Sequence, residues 1–174
     1  GLVGELSLGS MMSNCFVTGV VNGSANVGGL AGSLYNVSSI SNSFSTALIT
    51  AIDSDAGSLV GYSYDSNITN SYWATDTTGQ IISSEVSVVD HNSGATLSEL
   101  QCPISSDNID DCVASNSLYT AWGESLWDFG TSTQLPGLIL DGIVYRDSDG
   151  DGFLDNDEAG PNEDAASYDS DEDG

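Results

Sequence analysis

Basic residues are almost absent from this chain, whose 174 residues include one lysine or arginine, Arg146, against 26 aspartates and glutamates. Nucleic acid and anionic membrane surfaces are bound through Lys/Arg patches that replace released counterions, so a formal net charge of −25 argues against both as partners. Long apolar runs are missing too. No stretch approaches the roughly 18 to 20 residues that a membrane-spanning helix needs, and no membrane insertion is expected. The N-terminal Gly1-Leu-Val-Gly-Glu5 lacks the basic n-region of a signal peptide. If the chain is exported, its signal lay upstream, and Gly1 is a processing site or a boundary. Also lacking is the Ala/Glu/Lys/Leu composition of long helices. The residues before Asp147 are rich in Gly, Ser, Thr and Asn with short apolar runs, which reads as an all-β protein of one main core plus a small appendage.

Catalytic groups are equally sparse. His91 is the single histidine, set in the polar stretch Asp90-His-Asn-Ser-Gly94 with no Cys or Ser motif to partner it, and it reads as a solvent-exposed loop residue. A polysaccharide lyase needs a base and a cationic clamp, for which Arg146 alone is on offer. A glycosidase needs two facing carboxylates, a pair that so acidic a sequence does not by itself rule out. The chain is not expected to be an enzyme. Of the three cysteines, Cys15 stands alone and aligns with serines in the repeat described next, so it is expected to fill a small buried slot unpaired. Cys102 and Cys112 form a close pair. A disulfide between them would stabilise the fold by about 2 to 3 kcal/mol in an oxidising compartment; the rival reading, a metal site, finds no His or third Cys nearby.

What the chain does have is an internal repeat. Gly1-Leu-Val-Gly4, Gly29-Leu-Ala-Gly32 and Ser58-Leu-Val-Gly61 align, and each is followed at nine or ten residues by Asn14-Cys-Phe, Asn42-Ser-Phe or Asn70-Ser-Tyr. The period is 28 residues. A unit this short and Gly-rich cannot bury its own apolar residues, so copies must stack, as turns of a short right-handed parallel β-helix capped at its C-terminal end. In that arrangement Asn14, Asn42 and Asn70 form an amide ladder, Phe16, Phe44 and Tyr72 an aromatic stack, and Leu2, Leu30 and Leu59 an aliphatic one. These motifs resemble the GLUG-motif repeats of bacterial surface proteins, named for a Gly-Leu-x-Gly signature, over residues 1–79. The resemblance implies an exported, β-helical, adhesin-like surface protein and no catalytic residues.

Residues 80–146 lose the repeat and gain aromatics at Tyr119, Trp122, Trp127 and Phe129. They read as a cap over the open hydrophobic end of the last turn. Thr96-Leu-Ser-Glu-Leu100 carries a capping-box signature for a short helix ended by Pro103, and residues 135–145 read as a hairpin turning at Asp141-Gly142.

Residues 147–174 hold twelve of the acids. Numbered from Asp147, oxygens fall at positions 1, 3, 5, 9 and 12 (Asp147, Asp149, Asp151, Asp155 and Glu158), with Gly152 at position 6 and the Phe153 carbonyl at position 7. That is the full twelve-residue calcium loop, in which alternating carboxylates wrap a hard cation. The flanks, β-like before and Gly160-Pro161 after, do not suit a helix–loop–helix hand. The segment resembles thrombospondin type 3 repeats, in which successive Asp-rich loops wind around calcium, and Asp169, Asp171 and Asp173 begin a second such loop. The expected function is therefore an extracellular calcium-binding structural module of a surface fibre, associating end to end in a calcium-dependent way. More repeats ahead of Gly1, or another molecule, would cover the first turn. The alternative is a carbohydrate-binding adhesin for a surface glycan, if Tyr62, Tyr72 and Trp73 line an exposed face.

Overall fold

A computed structural model of the protein describes residues 1–84, 89–101, 118–130 and 133–156. Its strands follow the repeat. The first copy forms β1 (Val3–Leu6), β2 (Met11–Ser13), β3 (Phe16–Val17) and β4 (Val20–Gly28). The second forms β5 (Ala31–Tyr35), β6 (Ser39–Ser41), β7 (Phe44–Ser45) and β8 (Leu48–Gly57), and the third forms β9 (Val60–Tyr64) and a long β10 (Asn67–Ala74). Equivalent strands pair in parallel, giving sheets ordered β1-β5-β9, β2-β6-β10-β7-β3 and β4-β8. The protein is thus mostly β, and its repeats lie against one another as layers.

The register explains the period and its one irregularity. Val3 pairs with Ala31, Met11 with Ser39, Phe16 with Phe44 and Val20 with Leu48, each 28 residues on. A bulge between Gly23 and Ala25 opposite β8 then raises the offset by one, so that Ala25 meets Ser54 and Ala31 meets Val60. The chain recovers the residue before β10, where Ser39 meets Asn67. One extra residue absorbed as a bulge and given back at a corner keeps every side chain on its face.

Corners between strands need left-handed backbone, and the repeat places it at equivalent positions. Asn14, Asn42 and Asn70 have φ of 54°, 49° and 45°. Asn and Asp tolerate this region best among residues with a Cβ, which is the reason for the repeated asparagine. The expected amide ladder is not what holds the first of them: the Asn14 amide donates to Ser13 Oγ at 3.3 Å and accepts from Trp127 Nε1 at 3.1 Å. A second series, Leu8, Asn36 and Asp65, has φ of 57°, 53° and 50°, and Val37 beside it sits at 63°.

Side chains on the inner faces interlock between layers. Leu30, Leu34, Ile40, Leu59, Val60 and Ile68 are fully buried in one cluster, each side chain contributing about 1.5 to 3 kcal/mol through burial. Leu30 and Leu59 meet the expectation of an aliphatic stack, whereas Leu2 is 53% exposed. The rings of Phe16 and Phe44 stack at 5.4 Å and 10°. Tyr72 joins them through Trp122, whose ring lies 6.3 Å from Phe44 and 5.9 Å from Tyr72. Cys15 is unpaired and half-buried, not fully buried; its N–H donates to Ser43 Oγ as that of Ser43 donates to Ser71 Oγ, and burial pushes its thiol pKa up.

Parallel pairing continues past residue 79. β11 (Val89–Ala95) pairs with β10, Asn67 meeting Val89 and Tyr72 meeting Ser93. His91, expected in a loop, is in this strand. The shortened offset reflects a chain that crosses quickly over the third layer, where Ser58 and Leu59 donate to the carbonyls of Ile82 and Ser83. Thr96 then caps α1 (Leu97–Leu100) with both bonds of the capping box, while Pro103 lies outside the described residues.

The aromatic segment covers the side of the layers. Following a 3₁₀ turn at Leu118–Ala121, β12 (Trp127–Asp128), β13 (Gly137–Leu140) and β14 (Ile143–Tyr145) form an antiparallel sheet, with Asp141 and Gly142 at positive φ in the expected turn. Trp127 packs on both Phe16 and Phe44, and Trp122 donates from its indole nitrogen to the Asn70 carbonyl at 2.8 Å. These contacts run from the first layer to the third. The outward-facing aromatic row of the repeat is itself an apolar surface requiring cover, and the large rings are spent on it.

Candidate metal centre

The acidic loop leaves β14 through Arg146, and its first residue is its deepest. Asp147 is 1% exposed. Its two carboxylate oxygens accept from the N–H groups of Gly150 at 2.6 Å and Gly152 at 2.7 Å, and the Thr18 hydroxyl also bonds it. Those bonds bend the chain back on itself. Asp149 accepts from the Asp151 N–H and Asp151 from the Phe153 N–H, so alternate carboxylates are turned to one side. Oxygens of Asp147, Asp149 and Asp151 come within 4.8 Å of one another. Burial pushes the Asp147 carboxyl up to about 6, against the lowering effect of its three hydrogen-bond donors, and the neighbouring Asp149 charge adds to the rise.

A second set of contacts fixes the loop to the layers. Gly150 accepts from the Gly19 N–H at 3.3 Å, and the Gly19 and Gly152 backbones touch: a Cβ on either would lie 3.0 Å or 2.9 Å from the other's Cα. Gly152, at φ 107°, is therefore required both by its turn and by this contact. Gln101 Nε2 donates to the Ser148 carbonyl at 2.9 Å. The loop thus bears on the first repeat and on the segment after β11 together.

The expected ligands divide. Asp147, Asp149 and Asp151 are brought together, and three carboxylates so close make a hard-oxygen donor set able to hold a metal ion. Asp155 is not brought into that group, because its oxygens accept from the Ser148 N–H and hydroxyl, each at 2.7 Å. It braces the loop, whose end is tied back as Asp155 N–H donates to the Arg146 carbonyl. Phe153 is exposed, with its N–H on Asp151. Glu158, Asp169, Asp171 and Asp173, and the cysteines Cys102 and Cys112, lie outside the described residues.

Sequence reasoning missed Thr18 and Gly19 as partners of the loop. The one signal was that Gly19 stands where the second repeat has Ala47. Arg146, considered as a cationic clamp, is buried, its guanidinium held by the Asp128 carboxylate and by the carbonyls of Leu135 at 2.6 Å and Asp128 at 3.0 Å. Tyr72 and Trp73 are 8% and 7% exposed, and Tyr62 packs on Tyr35, so they form no open aromatic groove. Comparison with known proteins finds no matching family model, no matching curated protein and no matching solved structure.

Proposed function

We propose that the protein is a structural module of an exported surface assembly, a short parallel β-helix whose layers are clamped along one side by a calcium-loaded acidic loop. The observation carrying this reading is the convergence of Asp147, Asp149 and Asp151 in a loop whose backbone is seated on Gly19. Carboxylates packed this closely repel one another, and a divalent cation reverses the sign of that interaction. Calcium then acts as part of the fold. Hard oxygen donors favour calcium over the metals that prefer softer ligands, with Asp155 holding the loop through Ser148 and Glu158 offered by the sequence at the twelfth position.

The repeat motifs, through their GLUG-like resemblance, support the surface location, and the acidity of the chain favours cations over nucleic acid as partners. Calorimetric titration of the full chain, stripped with chelator, tests the site. Calcium-dependent heat that Asp147→Ala abolishes is expected; no heat, or heat indifferent to Asp147→Ala, sinks the assignment.

A further inference from the structure

Thr18 and Thr46 occupy equivalent places in the first two repeats, directly after the paired residues Val17 and Ser45 that end β3 and β7. The Thr46 N–H donates to the Val17 carbonyl at 2.9 Å, so the two threonines are adjacent rungs, about 4.8 Å apart. Both face the acidic loop. The Thr18 hydroxyl bonds the Asp147 carboxylate, and the Thr46 hydroxyl is aimed at Gly150, where an added Cβ would stand 3.1 Å from its oxygen. The next rung, in the third repeat, is the fully buried Ala74. Threonine is thus found on the two rungs that meet the loop.

The two hydroxyls differ in what they bond. Thr46 is 2% exposed, and its hydroxyl oxygen has no hydrogen-bond partner among the described residues. Its backbone is tied on both sides, because its carbonyl also accepts from the Thr77 hydroxyl at 2.7 Å. The side chain is therefore held where it is. A buried hydroxyl left unpaired is costly, and valine would fill the same shape without that cost. Facing the hydroxyl, Gly150 presents no Cβ at φ 81°, and the space a side chain would take there is bounded by Thr46 and Leu135. The Gly150 N–H is bonded to Asp147 Oδ1, which sets this space beside the converging carboxylates.

We infer that Thr46 belongs to the metal centre as an outer partner, its hydroxyl hydrogen-bonding a water carried by the bound ion. The inference rests on the proposed reading of the acidic loop as a calcium site. Calcium takes about six to eight oxygens and fills with water the positions that protein groups leave open. No carboxylate oxygen lies within hydrogen-bond distance of the Thr46 hydroxyl, so its link to the ion runs through such a water, which needs at least two polar partners and has them in the ion and the hydroxyl. A hydroxyl unpaired without the ion is then paired with it. That gain adds to calcium affinity and makes Thr46, in the second repeat, a positioning residue for a site at the far end of the chain.

The test is calorimetric calcium titration of the full chain, of Thr46→Val and of Thr46→Ser, with each protein also melted in chelator. Thr46→Val should bind calcium about three- to tenfold more weakly, as expected for one lost water-mediated hydrogen bond, yet melt in chelator no lower than the parent. Thr46→Ser, which keeps the hydroxyl, should bind within about twofold of the parent. Equal affinity in Thr46→Val, or a loss in Thr46→Ser as large as in Thr46→Val, overturns the inference. So does a Thr46→Val protein that melts below the parent in chelator, since its hydroxyl would then have had a partner without the ion. With any of these results, heat in the parent that Asp147→Ala abolishes leaves the calcium site standing, whereas a parent that gives no heat fails both readings.

Discussion

Asp149→Asn should stabilise the calcium-free protein and gain less stability than the parent on binding calcium. The Asp149 oxygen that accepts the Asp151 N–H has an equivalent in the asparagine amide, so the loop keeps its turn. What disappears is one of three charges lying within 4.8 Å of one another, and with it two of the three repulsive pairs. Each pair costs about 1 kcal/mol in a water-like medium and about 3.5 kcal/mol at an effective dielectric of 20. Asp149 is only half-buried, which places the relief near the lower figure, about 1 to 2 kcal/mol for the two pairs together. For a chain of this size that is a rise in melting temperature of about 3 to 6 °C in chelator.

With calcium that advantage is offset. Loss of a charged ligand should weaken binding by about tenfold or more, so saturating calcium adds about 1.4 kcal/mol less stability to the variant than to the parent. Thermal unfolding followed by circular dichroism, at matched ionic strength in chelator and in millimolar calcium, should show the variant melting above the parent in chelator and the gap closing in calcium. A variant that melts below the parent in chelator would refute the repulsion argument. An unchanged calcium increment would refute the ligand assignment.

The Asp147 carboxyl, raised to about 6 from its ordinary value of 3.8, holds its proton more tightly folded than unfolded. Its contribution to stability in chelator therefore falls as pH rises from about 4 to about 6 and is level above, and calcium binding should release protons at pH 5.5 but not at pH 8, measured by calorimetry in buffers of different ionisation enthalpy. Phe44→Ala removes a fully buried ring lying between Phe16, Trp122 and Trp127, and should cost about 3 to 5 kcal/mol in urea unfolding, well above Phe16→Ala at the half-buried first layer. Val37→Asn should gain about 1 kcal/mol by relieving a β-branched residue at φ 63°, and a melting temperature no higher than the parent's would show that the strain is absorbed elsewhere.

The parts of the fold that could be read in the sequence are those where one physical requirement recurs at a fixed spacing. Glycine at positions 32 and 61 is demanded by a backbone at contact distance, and asparagine at 14, 42 and 70 by left-handed corners, so both left a visible pattern. The second series of left-handed corners did not, because its residues, Leu8, Asn36 and Asp65, differ in type from one repeat to the next. β11 was hidden for a different reason. Its pairing with β10 is made by main-chain groups, which impose no side-chain signature, and its offset departs from 28.

The acidic site shows the same boundary between local and distant causes. Alternating aspartates with glycine at the sixth position are a local pattern, and Asp147, Asp149 and Asp151 converge as that pattern implies. Asp155 fits the pattern equally well, yet Ser148, a residue between two of the converging aspartates, takes its carboxylate. The contact of Gly152 with Gly19 joins positions more than a hundred residues apart, and nothing near either glycine announces it. That contact changes what the loop can do, because an acidic loop on a free tail could bind calcium without consequence for the rest of the chain. Seated on Gly19, bonded to Thr18 and held through Ser148 by Gln101, this loop cannot lose its shape without loosening the first layer and the end of α1. Calcium removal should therefore speed hydrogen exchange at the amides of Gly19 and Gln101 as well as in the loop itself. Exchange that quickens only within residues 147–156 would show that the loop and the layers are held independently.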